Sequence, residues 1–312
     1  MGTGTRTRPR TPSRVVEAWA AQSVFTRAPE GARFGFQYSA NPYRGCAHAC
    51  RYCYARTTHT YLGLQPGRDF ETHLFVKVGV GRRARAELRR IPQDASIAIG
   101  TATDPYQPLE GRHRVTRTLI EALAESGHPF TITTKSPLVL RDLDLLVPCA
   151  RRQQVVVHIS LIALDRALLS WLEPGAPPPA ARLKTIAALS QAGVPVTLFL
   201  APILPALTDQ PPAMAALLQA ARAAGAQAVM AGPGRLEEPV REYLVEALTV
   251  HRPELVASYR RWFCTPGGAP PLAWRQQVLA QAQASATEVG LSWGGPKPRP
   301  APPAAQLRFP FA

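Results

Sequence analysis

The chain alternates short, nearly continuous apolar runs with longer segments in which apolar residues recur at helical spacing. The runs are FGFQYSA (34–40), SIAIGT (96–101), FTITT (130–134), QVVVHISL (154–161), VPVTLFLAPI (194–203) and AQAVMAG (226–232). Most positions in them are apolar or β-branched, the pattern of strands covered on both faces. Between and after them lie GRRARAELRRI, RVTRTLIEALAES, LVLRDLDLLVPCA, AARLKTIAALSQAG, PPAMAALLQAARAAG and PVREYLVEALTVH. Two of these close on glycine, SQAG and RAAG, as helices do when the residue past the last turn is left-handed. Six strand–helix units in succession predict an α/β fold with a parallel sheet and right-handed crossovers. Their number and length favour a partial (β/α)6 barrel of TIM type over a doubly wound sheet, although periodicity alone does not separate the two. A further helical region, roughly 270–288, is expected to pack over one end of the barrel.

The ends break this rhythm. Residues 1–33 are polar and arginine-rich and predict a flexible arm, ahead of the barrel at 34–262 and a C-terminal helical extension at 263–293. The tail at 294–312, GGPKPRPAPPAAQLRFPFA, carries too many prolines for helix or sheet and should be extended. No run of about 18 apolar residues is present to span a membrane. The arginine-rich start is not followed by an apolar segment with a small-residue cleavage site. A cytoplasmic protein with no membrane association, and a monomer, is the expectation.

Charge changes the picture only in part. The net charge is +15, and seven of those charges fall in residues 1–36 and 294–312. The remaining body is still basic, which favours polyanions such as nucleic acid. Only four of the 36 basic residues are lysine, and with abundant alanine and proline this also fits the codon bias of a GC-rich genome. Five cysteines, three of them within eight residues, argue for a reducing compartment and a metal or redox site, not a disulfide scaffold.

The chemistry concentrates in NPYRGCAHACRYCYAR, residues 41–56, where Cys46, Cys50 and Cys53 are spaced C-x3-C-x2-C directly after an expected strand. One loop with that spacing can wrap a compact thiolate-ligated cluster, and soft thiolates suit iron–sulfur chemistry or zinc. Three thiolates leave a fourth metal position open for chemistry. The alternative is a Cys3His zinc site completed by His48 or His59, which the missing paired C-x2-C arrangement disfavours.

This stretch resembles the radical S-adenosylmethionine superfamily, whose signature is C-x3-C-x-aromatic-C, with Tyr52 in the aromatic slot. The resemblance implies a [4Fe-4S] cluster on the three cysteines, S-adenosylmethionine chelating the fourth iron, and an external electron donor of flavodoxin or ferredoxin type. It also implies one-electron cleavage to a 5′-deoxyadenosyl radical that abstracts hydrogen from a substrate, at the C-terminal strand ends of a partial barrel. A narrower similarity, to the spore photoproduct lyase-related branch, rests on further blocks. These are GTATDPYQPLE (100–110), TITTKSPLVLRD (131–142), HISL (158–161), LEPGAPPPAARL (172–183) and APILPALTD (201–209).

By that resemblance Tyr52 lies at the cofactor, Thr101, Thr103 and Asp104 face the amino group of S-adenosylmethionine, and Lys135, Ser136 and Ser160 face its carboxylate. Without the resemblance, Asp104 reads as a turn residue, Tyr52 and Tyr54 as aromatic walls, and His158 as a satisfied barrel histidine. Cys149 reads as a buried structural thiol, as does Cys264, with a hydrogen-donor role as its alternative, and Arg260, Arg261 and Trp262 read equally as a phosphate- and base-binding set or as a solvated basic face. One departure matters. Alignment on Asp104 puts Thr101 where the lyase carries the cysteine that returns hydrogen to the product radical, and a hydroxyl O–H bond is too strong for that step. The sequence therefore predicts a radical enzyme that is not a spore photoproduct lyase. Nucleic acid is its expected substrate class. A peptide or protein modifier is the alternative, and further behind stands a non-catalytic Fe–S or zinc protein.

Overall fold

The computed structural model describes residues 14–29 and 35–301. Its strands are β1 (Val15–Ala20), β2 (Phe25–Arg27), β3 (Tyr38–Ala40), β4 (Tyr43–Arg44), β5 (His73–Val78), β6 (Ile97–Ile99), β7 (Phe130–Thr134), β8 (Val155–Ser160), β9 (Val196–Ile203), β10 (Ala228–Pro233) and β11 (Ser292–Trp293). Its helices are α1 (Asp69–Thr72), α2 (Val80–Leu88), α3 (Glu110–His113), α4 (Val115–Ser126), α5 (Leu143–Arg151), α6 (Arg166–Leu172), α7 (Pro179–Gln191), α8 (Pro211–Ala223), α9 (Glu238–His251), α10 (Val256–Trp262) and α11 (Leu272–Glu288).

The main sheet runs β11-β10-β9-β8-β7-β6-β3-β2. From β3 to β10 every pairing is parallel and joins strands consecutive among the six expected from sequence. Crossovers of one hand that always step the same way gather their helices on one face. That order is the barrel type, because a doubly wound sheet reverses direction at its centre. No closed barrel forms among the described residues. The sheet ends on β11, parallel to β10, and on β2, antiparallel to β3.

Burial divides the strands by face. Val155, Val157 and Ile159 of β8, with Val196, Leu198 and Leu200 of β9, join the core shared with the helices. The alternate positions turn the other way and are more polar, with Thr131, Thr133, His158, Ser160, Thr197 and Phe199 among them.

Three expectations about the ends change. Within the expected arm, β1 pairs in parallel with β5 through six residues, and β5 pairs with β4, making a second sheet of order β1-β5-β4. Every residue of β1 except the partly buried Trp19 is exposed, so the strand is held through one backbone edge and leaves no inward apolar pattern to read. Glu87 then accepts from the amides of Val24 and Phe25 at 3.1 Å and fixes the turn into β2. The helix of the C-terminal extension, α11, does not cover an end of the barrel. It packs beside α8 and against β10 and leads into β11, so it belongs to one more parallel crossover.

The tail is extended as expected as far as Ala301, but it is docked. Gly294 N–H bonds to Val229 O (2.9 Å), Arg299 N–H to Gln153 O (2.8 Å) and Ala301 N–H to Gly127 O (2.8 Å). Gln153 and Gly127 lie in the turns that enter β8 and β7, and a Cβ at Gly295 would stand 3.0 Å from Thr197 Oγ1 of β9. Residues 294–301 therefore strap the N-terminal ends of these strands. Residues 1–13, 30–34 and 302–312, which hold the rest of the expected arm and tail and the first residue of the first expected strand, lie outside the described residues.

Candidate active site

The loop after β4 carries all three cysteines of the motif. Cys46 and Cys50 are buried and Cys53 is partly exposed, all as free thiols. Two left-handed positions shape it. Gly45 has φ 74°, where a Cβ would meet Phe70 O and Leu74 Cδ2 at 2.8 Å, so only glycine fits. Ala49, between Cys46 and Cys50, has φ 58°. Burial raises the Cys46 thiol, helped by Asp104 and Cys50, and pushes Cys50 up to about 12. Among the described residues no three His, Cys, Asp or Glu side chains converge on a single-ion site. Each of the two nearby histidines has one ring nitrogen engaged within the protein. His59 Nε2 contacts His73 O at 2.9 Å with its ring edge-on to Phe70, and His48 Nδ1 stands 3.1 Å from Asp104 Oδ2.

The loop is braced from three sides. Gln107, fully buried, accepts from Ala47 N–H (2.9 Å) and donates to Gly45 O (3.1 Å), and the Thr103 hydroxyl also donates to Gly45 O (2.6 Å). Arg56, fully buried, donates to Cys50 O (2.9 Å) and Glu71 (2.6 Å), with Tyr243 of α9 beneath its guanidinium at 4.3 Å. The LEPG segment supplies the third brace. Leu172 O accepts from Arg51 N–H (2.9 Å), and Gly175 N–H donates to His48 O (3.0 Å). A Cβ on Gly175 would stand 2.0 Å from Ala47 O, which explains the glycine.

The DPYQPLE block is held by a buried charge network. Glu110 accepts from the Tyr43 hydroxyl, from Thr116 N–H (2.9 Å) and from Arg141 (2.7 Å). Asp142 accepts from Tyr106 (3.0 Å), Arg117 (3.0 Å) and Arg141 (2.8 Å). Asp104 bridges this block to the end of β7. Its Oδ1 accepts from Tyr106 N–H (2.9 Å) and the Thr134 hydroxyl (2.7 Å), and its Oδ2 from Lys135 N–H (2.8 Å). Burial raises its carboxyl, but His48, Thr134 and the Lys135 amide outweigh that and bring it down to about 2. With four partners Asp104 acts here as a cross-brace, leaving little acceptor capacity for an amino group.

Lys135, Ser136 and Ser160 come together with Tyr52 at the strand ends. Lys135 Nζ lies 3.8 Å from Glu173 and 5.9 Å from the Tyr52 ring centre. Burial opposes its charge, yet Cys50 and Glu173 hold its pKa above the ordinary lysine value. Tyr52 donates to Glu173, which also accepts from Arg182. Arg182 is spent inside the protein, since it also reaches Pro177 O (2.8 Å) and Ser160 O (3.1 Å). Ser136 caps the following 3-10 helix through Leu138 N–H (3.2 Å), whereas the buried Ser160 Oγ has no hydrogen-bond partner.

Other expected residues fall elsewhere. Tyr54 is exposed and donates to Thr101 O; Thr101 Oγ1 in turn accepts from Asn41 (2.9 Å). Cys149 is fully buried, and Cys264 is exposed in a surface cleft with Glu237, Glu238 and Arg241 at the start of α9. Arg260 pairs with Glu242 on the surface at 3.1 Å. His158 is buried and stacks parallel to Phe199 (6.1 Å), and burial lowers its pKa to about 4. Sequence reasoning missed Asn41, Gln107, Glu110, Glu173, Gly175 and Arg182. The signal available was their place inside the motif blocks, where charged residues sit among prolines and apolar neighbours.

The family model of the radical SAM superfamily matches residues 40–218, more than half of the chain. An uncharacterized protein of Mycobacterium tuberculosis is 39% identical over 283 residues, covering 90% of this chain and 82% of its own length. An uncharacterized protein of Methanocaldococcus jannaschii is 27% identical over 175 residues, covering 56% and 63%. Among solved structures, a spore photoproduct lyase variant with bound S-adenosylmethionine and dinucleoside spore photoproduct superposes with TM-score 0.67. That match spans 89% of this chain and 81% of the lyase at 16% identity, a likeness of fold. With its cysteine loop braced at the C-terminal ends of an open run of parallel strands, this chain belongs to the radical SAM superfamily.

Proposed function

We propose that the protein is a radical S-adenosylmethionine enzyme acting on a nucleic-acid substrate, with Cys46, Cys50 and Cys53 holding three irons of a [4Fe-4S] cluster. The observation that carries this reading is the pairing of a braced three-thiol loop with Lys135 and the unpartnered, buried Ser160 Oγ. An orphaned hydroxyl at the end of β8 and an ammonium just past the end of the adjacent β7 suit a carboxylate, and three thiols, two of them buried, suit soft iron. When bound, the reduced cluster supplies the electron that cleaves S-adenosylmethionine to methionine and a 5′-deoxyadenosyl radical.

The residues around it bind and orient. Lys135 and Ser160 receive the carboxylate, Tyr52 walls the cluster side, and Ser136 shapes the turn that presents Lys135. The backbone of residues 101–103, held by Asn41 through Thr101 Oγ1 and the Ala102 amide, offers carbonyl acceptors for the amino group. The Thr101 O–H bond is too strong to return a hydrogen atom to a substrate radical, so the reading excludes the lyase's own return step. Nucleic acid as substrate rests on the basic body and ends.

The test is anaerobic reconstitution followed by assay of 5′-deoxyadenosine with dithionite as reductant. Turnover by the native protein and none by Cys50→Ala, which should also lose iron, is the expected result. No cleavage with a full complement of iron overturns the enzyme reading. Salt-dependent DNA and RNA binding, compared between the full chain and a chain lacking residues 1–13, tests the substrate class. Affinity that vanishes with those residues places the charge effect in the end of the chain, away from the site.

A further inference from the structure

Glu173 is a carboxylate that no part of the reading above requires, yet it sits at the centre of the site. Its side chain has no exposure, and it is 121 residues from Tyr52, whose hydroxyl it accepts. Arg182 and Lys135 complete the group. Burying a carboxylate is costly unless cations and donors surround it. Glu173 meets that condition, and Arg182 and Lys135 outweigh burial to keep its pKa below the ordinary glutamate value. The set is two cations and one anion, net +1, with Arg182 closed off by two backbone carbonyls.

The group is placed against one corner of the thiol loop. Tyr52 lies between Cys50 and Cys53 in the chain, and Leu172, next to Glu173, accepts from the amide of Arg51, next to Cys50. In a water-poor interior the charges of this group act on any electron placed on an iron bound to Cys50.

Resting on the cluster assignment above, we propose that Glu173 is a positioning residue that sets the cluster's reduction potential. It holds Lys135 beside the Cys50 corner and offsets part of its charge. Two substitutions then act in opposite directions. Glu173→Gln removes an anion and keeps the shape, so the reduced cluster is favoured and the midpoint potential rises. Lys135→Met removes a cation, so the potential falls. A charge-conserving Glu173→Asp stays nearest to the native value.

The measurement is a reductive titration of the reconstituted holoenzymes followed by electron paramagnetic resonance, without S-adenosylmethionine, so turnover plays no part. Shifts of opposite sign support the proposal. Shifts of the same sign, or none in iron-replete variants, overturn it, because a purely structural role has no reason to follow charge. Should Glu173→Gln fail to retain iron, the downward shift of Lys135→Met is required on its own. Native protein that takes up no cluster instead removes the cluster assignment itself, and that outcome is visible before any variant is titrated.

Discussion

Asp104 and His158 show how single buried groups make this protein's stability depend on pH. Asp104 is ionised in the fold with a pKa of about 2 against an ordinary 3.8. Its depressed value means stability that is complete above pH 3.8 and lost as pH falls towards 2. Asp104→Asn should destabilise the protein by about 2–3 kcal/mol at neutral pH and flatten the acid limb between those values, as read by urea unfolding at a series of pH. His158 works in a different window. Burial holds it neutral down to about 4, while the unfolded chain protonates near 6.5. The unfolded state therefore binds more protons between pH 6.5 and 4, and stability falls as pH drops through that range. In His158→Gln this loss, about 1.4 kcal/mol per pH unit at most, should be absent. An unchanged slope would mean that His158 is protonated in the native state.

At the scale of elements, the active site depends on close approach of segments that are far apart in the chain. The LEPG turn after α6 and the cysteine loop share two backbone hydrogen bonds, and their separation leaves no room for a methyl group on Gly175. Gly175→Ala should displace the loop, cost roughly 3 kcal/mol and reduce iron bound after reconstitution. Gly111→Ala, which faces open space, serves as the control and should do neither. Equal iron content in the two variants would show that the LEPG contact does not shape the thiol loop. The LEPG block was visible as a motif, but its purpose was not, since contact between two loops has no periodicity to detect.

For the molecule as a whole, the strap at 294–301 fastens the N-terminal ends of the strands, opposite the cysteine loop. Its three described backbone bonds to Val229, Gln153 and Gly127 are worth about 1 kcal/mol each. Truncation after Trp293 should therefore lower Tm by about 3–8 °C and leave iron uptake intact, because the site is at the other end. A truncated protein that melts like the native one would show that the strap is dispensable. Among the described residues no helix is long and apolar enough to cross a membrane. Strand β1 and the strap both lie in regions that composition alone assigned to loose ends, because a strand held through one backbone edge needs no apolar face.

The amino-acid sequence by itself determined the six parallel strands and the thiol loop. Strands buried on both faces are mostly apolar or β-branched along their length, and chelation by one loop depends only on local spacing, so both leave a mark in contiguous residues. Tertiary structure alone decided that the sheet is sequential and open, that Asp104 is a brace, and that Glu173, Arg182, Lys135 and Tyr52 share one buried charge set. Those outcomes depend on pairings across tens to more than a hundred residues. The energy of a buried ion or hydrogen bond is fixed by which partner arrives, and no local pattern of residues records that.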